Sequence, residues 1–311
     1  MKRRSQAIVA LTLAAAFWAG NYVFGKVAVA DMSPFSIVLL RWSIALVPLV
    51  IISQTVEHPD WLSVLRHWPF LLMQSALGLF AYNFLLYEAL RSSTAFAASL
   101  INAANPALIA LAAMAVLHER IGWRGAIGIA VALIGVLVVL TQGDFSTLAT
   151  IFTPGSMLMI AVICSWTAYT IAMRKGPKLP PITAVTIQVA FIVIGLGSIA
   201  PFVGVTLPSS GPALGSLLFI AVFPSCLSYV LWNTALTVIP SGRAGVFLNL
   251  ITVFTALWAV ATGELISVAQ IVGGMTIIVG VMLTSWPSHG VVNSPIPRSQ
   301  CRAVEQSRQQ S

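Results

Sequence analysis

Charge is scarce in this chain: 8% of its 311 residues are charged, with 8 acidic side chains against 16 lysines and arginines. Soluble domains carry roughly a quarter of their residues charged, so a water-soluble fold is excluded. Cysteine is as sparse. Cys164, Cys226 and Cys301 are scattered, no CxxC pair occurs, and free thiols rather than a disulfide framework are expected. No Walker A loop is present, which excludes P-loop hydrolysis of ATP. The four histidines, His58, His67, His118 and His289, fall between apolar runs or in the tail. No two carboxylates share a helix face. A membrane enzyme acting on lipid or isoprenoid would need such clusters near an interface to hold metal or move protons, so the chain reads as a non-enzyme, and no metal or other cofactor is expected.

What the chain has in abundance is hydrophobic sequence, 58% of it. Runs of about 20 residues without a charge recur, and each suffices to cross an apolar core about 30 Å thick as a helix. Ten are read, at 6–26, 34–53, 69–90, 93–116, 123–141, 156–173, 181–204, 214–236, 243–262 and 266–286, so the expected fold is an all-α integral membrane protein. Only the polar run Arg91 to Thr94 divides the third from the fourth. The KRR start imitates a signal peptide, but the apolar run continues to Phe24 and nine more follow, so an uncleaved first helix is expected. The polar tail 287–311 is expected to be disordered in the cytoplasm.

A net charge of +8 suggests nucleic acid in a soluble protein; here its distribution points to the bilayer. With a cytoplasmic amino terminus and ten helices, every Lys and Arg falls in an inner segment except Lys26 and Arg91, outside, and Arg41, within a span. That obeys the positive-inside rule. The expected location is the bacterial inner membrane with both termini cytoplasmic. The expected partners are lipid and a small-molecule substrate, not nucleic acid, with the oligomeric state left open.

The chain also repeats itself. YNFLLYEAL (82–90) matches SYVLWNTAL (228–236); FWAGNYVFGK matches SWTAYTIAMRK and pairs Trp18 with Trp166. Seven residues separate Pro34 from Arg41 and Pro181 from Gln188, and VLHERIGWRGAIGIAVALIGVLV matches ATGELISVAQIVGGMTIIVGVML, pairing Glu119 with Glu264 and Gly135 with Gly280. Two copies of five helices result, 6–141 and 156–286. An odd number of helices makes the second copy enter from the opposite side, so the copies are inverted. LHERIGW (117–123) opens like the zinc motif HExxH, but Gly122 stands where the second ligand belongs. It reads as a turn between the fourth and fifth helices, with Glu119 facing the cytoplasm and Glu264 the exterior.

The run NPALIALAAMAVLHERIGWRGAIGIAVALIGVLVVL, its weak echo near 249–284 and the amino-terminal tryptophan motif resemble the EamA-type repeat of the drug/metabolite transporter superfamily, over residues 8–286. The resemblance implies ten helices with both termini inside, a central cavity between inverted halves, and export of small metabolites in many members. One departure stands out: Thr252 occupies a place where the family often carries proline, whereas the fourth helix has Asn105 and Pro106.

Polar groups inside a membrane are costly and mark pathways. Helical spacing groups Trp18, Asn21 and Gly25; Ser99 and Asn102, with Asn105 one turn on; Trp166 and Tyr169; Ser225, Tyr229 and Trp232; and Asn249 with Thr252. From these, Trp18, Asn21, Asn102, Asn105, Trp166, Tyr169, Tyr229, Trp232 and Asn249, together with Arg41, form the candidate substrate-binding set. The competing reading is that asparagine and serine join helices and tryptophan forms interfacial belts. Arg41, seven residues into its helix, either snorkels to lipid phosphate or points inward to a substrate carboxylate. Glu88 either pairs with Arg91 at the interface or carries the coupling proton. Pro106 is expected to kink the fourth helix, and Gly122, Gly125, Gly128, Gly273, Gly274 and Gly280 to allow close packing. The expected function is a secondary transporter, exporting a small metabolite such as an amino acid by alternating access. A channel or sensor, or an integral membrane enzyme, is the alternative.

Overall fold

The structure is a computed structural model and describes residues 2–118, 122–145, 153–236, 238–239, 245–261, 263 and 265–284. Among these residues the regular structure is helical, with no strand. Eight helices are long and apolar enough to cross a membrane: α1 Arg3–Ala28, α2 Pro34–Glu57, α3 Trp68–Ser92, α4 Ala95–Leu117, α5 Trp123–Leu140, α6 Pro154–Lys175, α7 Pro181–Val203 and α8 Gly211–Trp232. Two shorter apolar helices follow, α9 Phe247–Ala261 and α10 Val268–Leu283. Large apolar side chains such as Phe202, Ile194 and Leu257 lie more than half exposed on these helices, as lipid-facing residues would. The chain is a multi-pass membrane protein.

Local chemistry sets the helix starts. Ser33, Thr94, Thr153 and Ser210 each turn a side-chain oxygen onto a backbone N–H of the first turn, satisfying a donor that has no partner within the helix. Proline occupies the first turn of α2, α6, α7 and α8, where its missing N–H costs nothing. The Thr94 cap separates α3 from α4, so the short polar run suffices to divide them.

Pro106 departs from expectation. α4 is broken rather than kinked: one segment ends at Asn102, a turn follows at Ala103 and Ala104, and Pro106 opens the next segment, Asn105–Leu117. It therefore sits at a helix start and removes no mid-helix bond. α9 changes character at the corresponding place without a proline, passing from a 3-10 turn over Gly245–Asn249 into α-helix at Leu250. Around LHERIGW, α4 ends at Leu117, His118 takes the left-handed conformation, and Gly122 precedes α5. Glu119, Arg120, Glu264, Cys301 and the tail from 285 lie outside the described residues.

α5 and α10 pack through their glycines. A Cβ on Gly135 would stand 2.7 Å from the Gly273 carbonyl oxygen and 2.7 Å from the Ile277 nitrogen, and one on Gly280 would meet the backbone of Gly128 and Ala132. Gly125 and Gly128 are buried as expected, while Gly122 serves as the N-cap residue of α5. Because backbone cannot step aside, Gly280→Val should destabilise the protein by about 1–3 kcal/mol. Gly195→Ala, with nothing within 4 Å of the added carbon, should be near neutral. Thermal unfolding in detergent measures both, and equal midpoints for the two variants would show that the α5–α10 seam yields.

Candidate functional site

One cavity of about 390 Å³ lies between the helices, within the range of small-ligand sites. All ten residues of the candidate set line it, contributed by α1, α2, α4, α6, α8 and α9. Two aromatic groups form its walls. Trp18 of α1 meets the edge of Tyr229 with centroids 5.9 Å apart, and Trp232 at 5.4 Å, both from α8. Trp166 of α6 stacks on Tyr169 and lies 5.1 Å from Tyr82 of α3. Each tryptophan thus packs on a helix of the other half. The Trp18 indole donates to the Pro224 carbonyl at 3.2 Å, at a π-helical turn, Phe223–Leu227, inside α8. Such turns free carbonyls that a regular helix would occupy and are frequent at functional sites.

Arg41 points inward. Its Nε and Nη2 both donate to the Ser225 hydroxyl, at 3.0 and 2.6 Å, and its Nη1 donates to Asn21 Oδ1 at 3.1 Å, to Asn83 Oδ1 at 2.7 Å and to the Tyr87 hydroxyl. Tyr87 in turn donates to Asn21 at 2.9 Å. The guanidinium joins α1, α2, α3 and α8 and is 3% exposed. Snorkelling to lipid phosphate is therefore the alternative that fails. Elsewhere in the lining, Tyr22 and Tyr82 hydroxyls lie 3.2 Å apart, Tyr82 donates to Asn102 at 3.5 Å, and Asn105 accepts from Thr167 at 3.1 Å. Among the described residues, three buried polar atoms of the lining have no partner: Trp42 Nε1, Asn249 Nδ2 and Gln188 Oε1.

The two ends of the cavity differ. Towards the ends of α1 and α3 and the starts of α2 and α8 its last lining residues are Tyr22, Arg41 and Asn83, all buried, and this is the stopped end. In the other direction it is lined by Phe70, Met173, Pro177, Leu179 and Pro181, and Met173 is half exposed there. Beyond the stopped end, the Asp31 carboxylate accepts from the Ser209 and Ser210 N–H groups at 2.8 and 3.0 Å, from the Ser210 hydroxyl at 3.2 Å and from the Ser209 hydroxyl. On the opposite face Glu57 accepts from the N–H groups of Ile182 and Thr183 at the start of α7, at 2.9 and 2.8 Å.

Glu88 does not line the cavity. It pairs at 3.3 Å with Arg91, one turn along α3, whose side chain is exposed while that of Glu88 is partly buried. Tyr22, Trp42, Tyr82, Asn83 and Gln188 are lining residues that the spacing argument passed over. Two signals pointed to them: the YNFLLYEAL repeat contains Tyr82 and Asn83, and Gln188 matches Arg41 in the proline register. Among the described residues no three His, Cys, Asp or Glu side chains converge to hold a metal, and Cys226 is buried while Cys164 is exposed, both free.

Comparison with known proteins agrees with this architecture. A Bacillus subtilis uncharacterized transporter, YyaM, is 28% identical over 287 residues, spanning 90% of this chain and 92% of that protein. An uncharacterized transporter of Archaeoglobus fulgidus is 27% identical over 303 residues, covering 93% of this chain and 100% of its own length. A probable terminal-alkyne amino-acid exporter of Streptantibioticus cattleyicolor is 27% identical over 290 residues, with 90% and 93% covered. A crystal structure 18% identical in sequence superposes with a TM-score of 0.66 over 90% of this chain and 97% of the other, a likeness of fold. The EamA-like transporter family model matches residues 5–141 and again 153–286, and the chain belongs to that family.

Proposed function

We propose that the protein is a secondary transporter that exports a small amphipathic metabolite, such as an amino acid, across the bacterial inner membrane by alternating access. In this reading α1 to α10 all span the bilayer as two inverted copies, 6–141 and 156–286, with both termini cytoplasmic. The observation that carries it is the cavity, walled by two aromatic groups that each join the halves, with buried lining residues at one end and the half-exposed Met173 at the other. Inverted repeats that rock about a central site expose it to each side in turn. Aromatic walls with a few oriented polar groups suit a small amphipathic ligand. The amino-acid class is supported by the relative named as an exporter of such a compound. Comparing metabolites in medium and cells with the gene deleted and overexpressed tests the reading. A compound that leaves the overexpressing cells faster, and saturably, supports it; unsaturable flux would favour a channel.

The orientation has its own test. A reporter active only in the periplasm should be silent when fused after Lys178 and active when fused after Asp144. The reverse pattern at both sites would invert the protein.

Of the two roles open to Glu88, the interfacial pair with the exposed Arg91 fits its place away from the cavity better than proton coupling does, and such a pair one turn apart contributes little. Glu88→Gln is expected to leave flux and its pH profile unchanged. Loss of the dependence on the proton gradient, with substrate exchange preserved, would make Glu88 the coupling group.

A further inference from the structure

Arg41 is a buried cation answered, among the described residues, only by neutral groups. Asn21, Asn83, Tyr87 and Ser225 accept its hydrogen bonds, and none of the carboxylates among the described residues lines the cavity. A buried charge without a countercharge is strongly unfavourable, and within a membrane span it usually marks a pathway. The details of the geometry point the same way. The edge formed by Nε and Nη2 is the fork that takes the two oxygens of a carboxylate. Here a single oxygen, the Ser225 hydroxyl, holds both donors. An independent observation lies on the next residue: the Trp42 indole N–H, on a side chain 1% exposed, has no acceptor.

We propose that the stopped end of the cavity is a carboxylate subsite, and that the substrate is a small monocarboxylate held by Arg41, with Trp42 Nε1 as a further donor. The proposal rests on reading the cavity as the carrier's binding site and names what that site takes. One guanidinium balances one carboxylate. A phosphate monoester or dicarboxylate would bring surplus negative charge with no second cation among the described lining residues, and an amine without a carboxylate would be repelled. The body of the ligand extends from Arg41 between the Trp18 and Trp166 groups. Its polar substituents meet Gln188 Oε1, an acceptor without a donor, and Asn249 Nδ2, a donor without an acceptor.

The test compares acids with their neutral amides on the purified full-length protein. The probes are 3-phenylpropanoate, 4-methylpentanoate and N-acetyl-L-phenylalanine, each against its primary amide, with 3-phenylpropylamine as the cation. Binding is read by tryptophan quenching and thermal stabilisation, and exchange by counterflow in proteoliposomes. Charge-assisted hydrogen bonds favour the acids by roughly 10- to 100-fold. Arg41→Gln should erase that ratio, and Arg41→Lys, which keeps the charge but not the fork, should retain part of it. If Arg41→Gln does not fold, the wild-type ratio decides alone. Amides or the amine binding as well as the acids, or no acid binding at millimolar concentration, overturns the subsite. Exchange without acid preference would sink the subsite and leave the carrier standing, whereas acid-selective binding without exchange would do the reverse.

Discussion

Trp18→Ala and Tyr229→Ala are each expected to raise the half-saturation concentration for transport by roughly 10- to 100-fold, the equivalent of losing about 1.5–3 kcal/mol of aromatic burial against the substrate. Both variants should reach the membrane in normal amounts. The two rings meet edge to face across the boundary between α1 and α8, and both line the cavity, so truncating either opens the wall where a ligand body would lie. Trp18 also donates to the Pro224 carbonyl, which makes Trp18→Phe informative. It keeps an apolar wall and loses the hydrogen bond. A phenylalanine that restores affinity assigns the effect to the wall, and one that does not assigns it to the α1–α8 link. Cysteines at 18, 102 and 249 should be shielded from thiol reagents by a transported substrate. Equal labelling with and without it, or loss of the proteins rather than of affinity, would make these residues helix packing and place the binding site elsewhere.

Helical spacing brought Trp18, Asn21, Asn102, Asn105, Trp166, Tyr169, Tyr229, Trp232 and Asn249 to attention, and with Arg41 they share one cavity. The reason is physical. A polar or amphipathic side chain in the middle of a span is costly in lipid, so it turns towards the interior, and a period of 3.6 then groups it with its neighbours. The Arg41 network was not legible. Its acceptors come from α1, α3 and α8, and nothing in the order of residues says which of ten helices touch. Tyr22 and Tyr82 went unremarked because a lone tyrosine in a span reads equally as packing. Pro106 was misplaced because the sequence does not reveal that Ala103 and Ala104 leave the helix before it. In the proposed repeat α1 corresponds to α6 and α3 to α8, so the packing of Trp18 on α8 and of Trp166 on α3 would be equivalent contacts.

Cysteines introduced together at positions 31 and 209, in a background without the native thiols, are expected to arrest transport when oxidised and to release it when reduced. Asp31 stands in the α1–α2 connection and holds Ser209 and Ser210, the residues that lead into α8, beyond the stopped end of the cavity. An anion at a helix start is favoured by the unpaired N–H groups there. The hydrogen bonds, that of the Ser209 hydroxyl foremost, hold the Asp31 carboxyl below its ordinary value. A lowered value in the closed form means that the contact contributes fully above the ordinary carboxylate range and is lost as pH falls through the lowered value. At neutral pH the seal is therefore intact, and acid on that face loosens it. In the proposed cycle this seal has to part for the cavity to open on its second side, so a covalent bond across it blocks turnover. A pair at 53 and 183 is the control. Ser53 and Thr183 hydroxyls lie 2.7 Å apart, on the face opposite the 31–209 contact. A bridge there leaves that contact free to part, so it should spare transport. Asp31→Asn should act in the opposite sense to the 31–209 bridge, making a cysteine at 18 reachable by impermeant reagent from the α8-start face. Full flux with the 31–209 bridge closed would mean that this face does not open between α1–α2 and α8, and the rocking motion would have to be drawn between other helices.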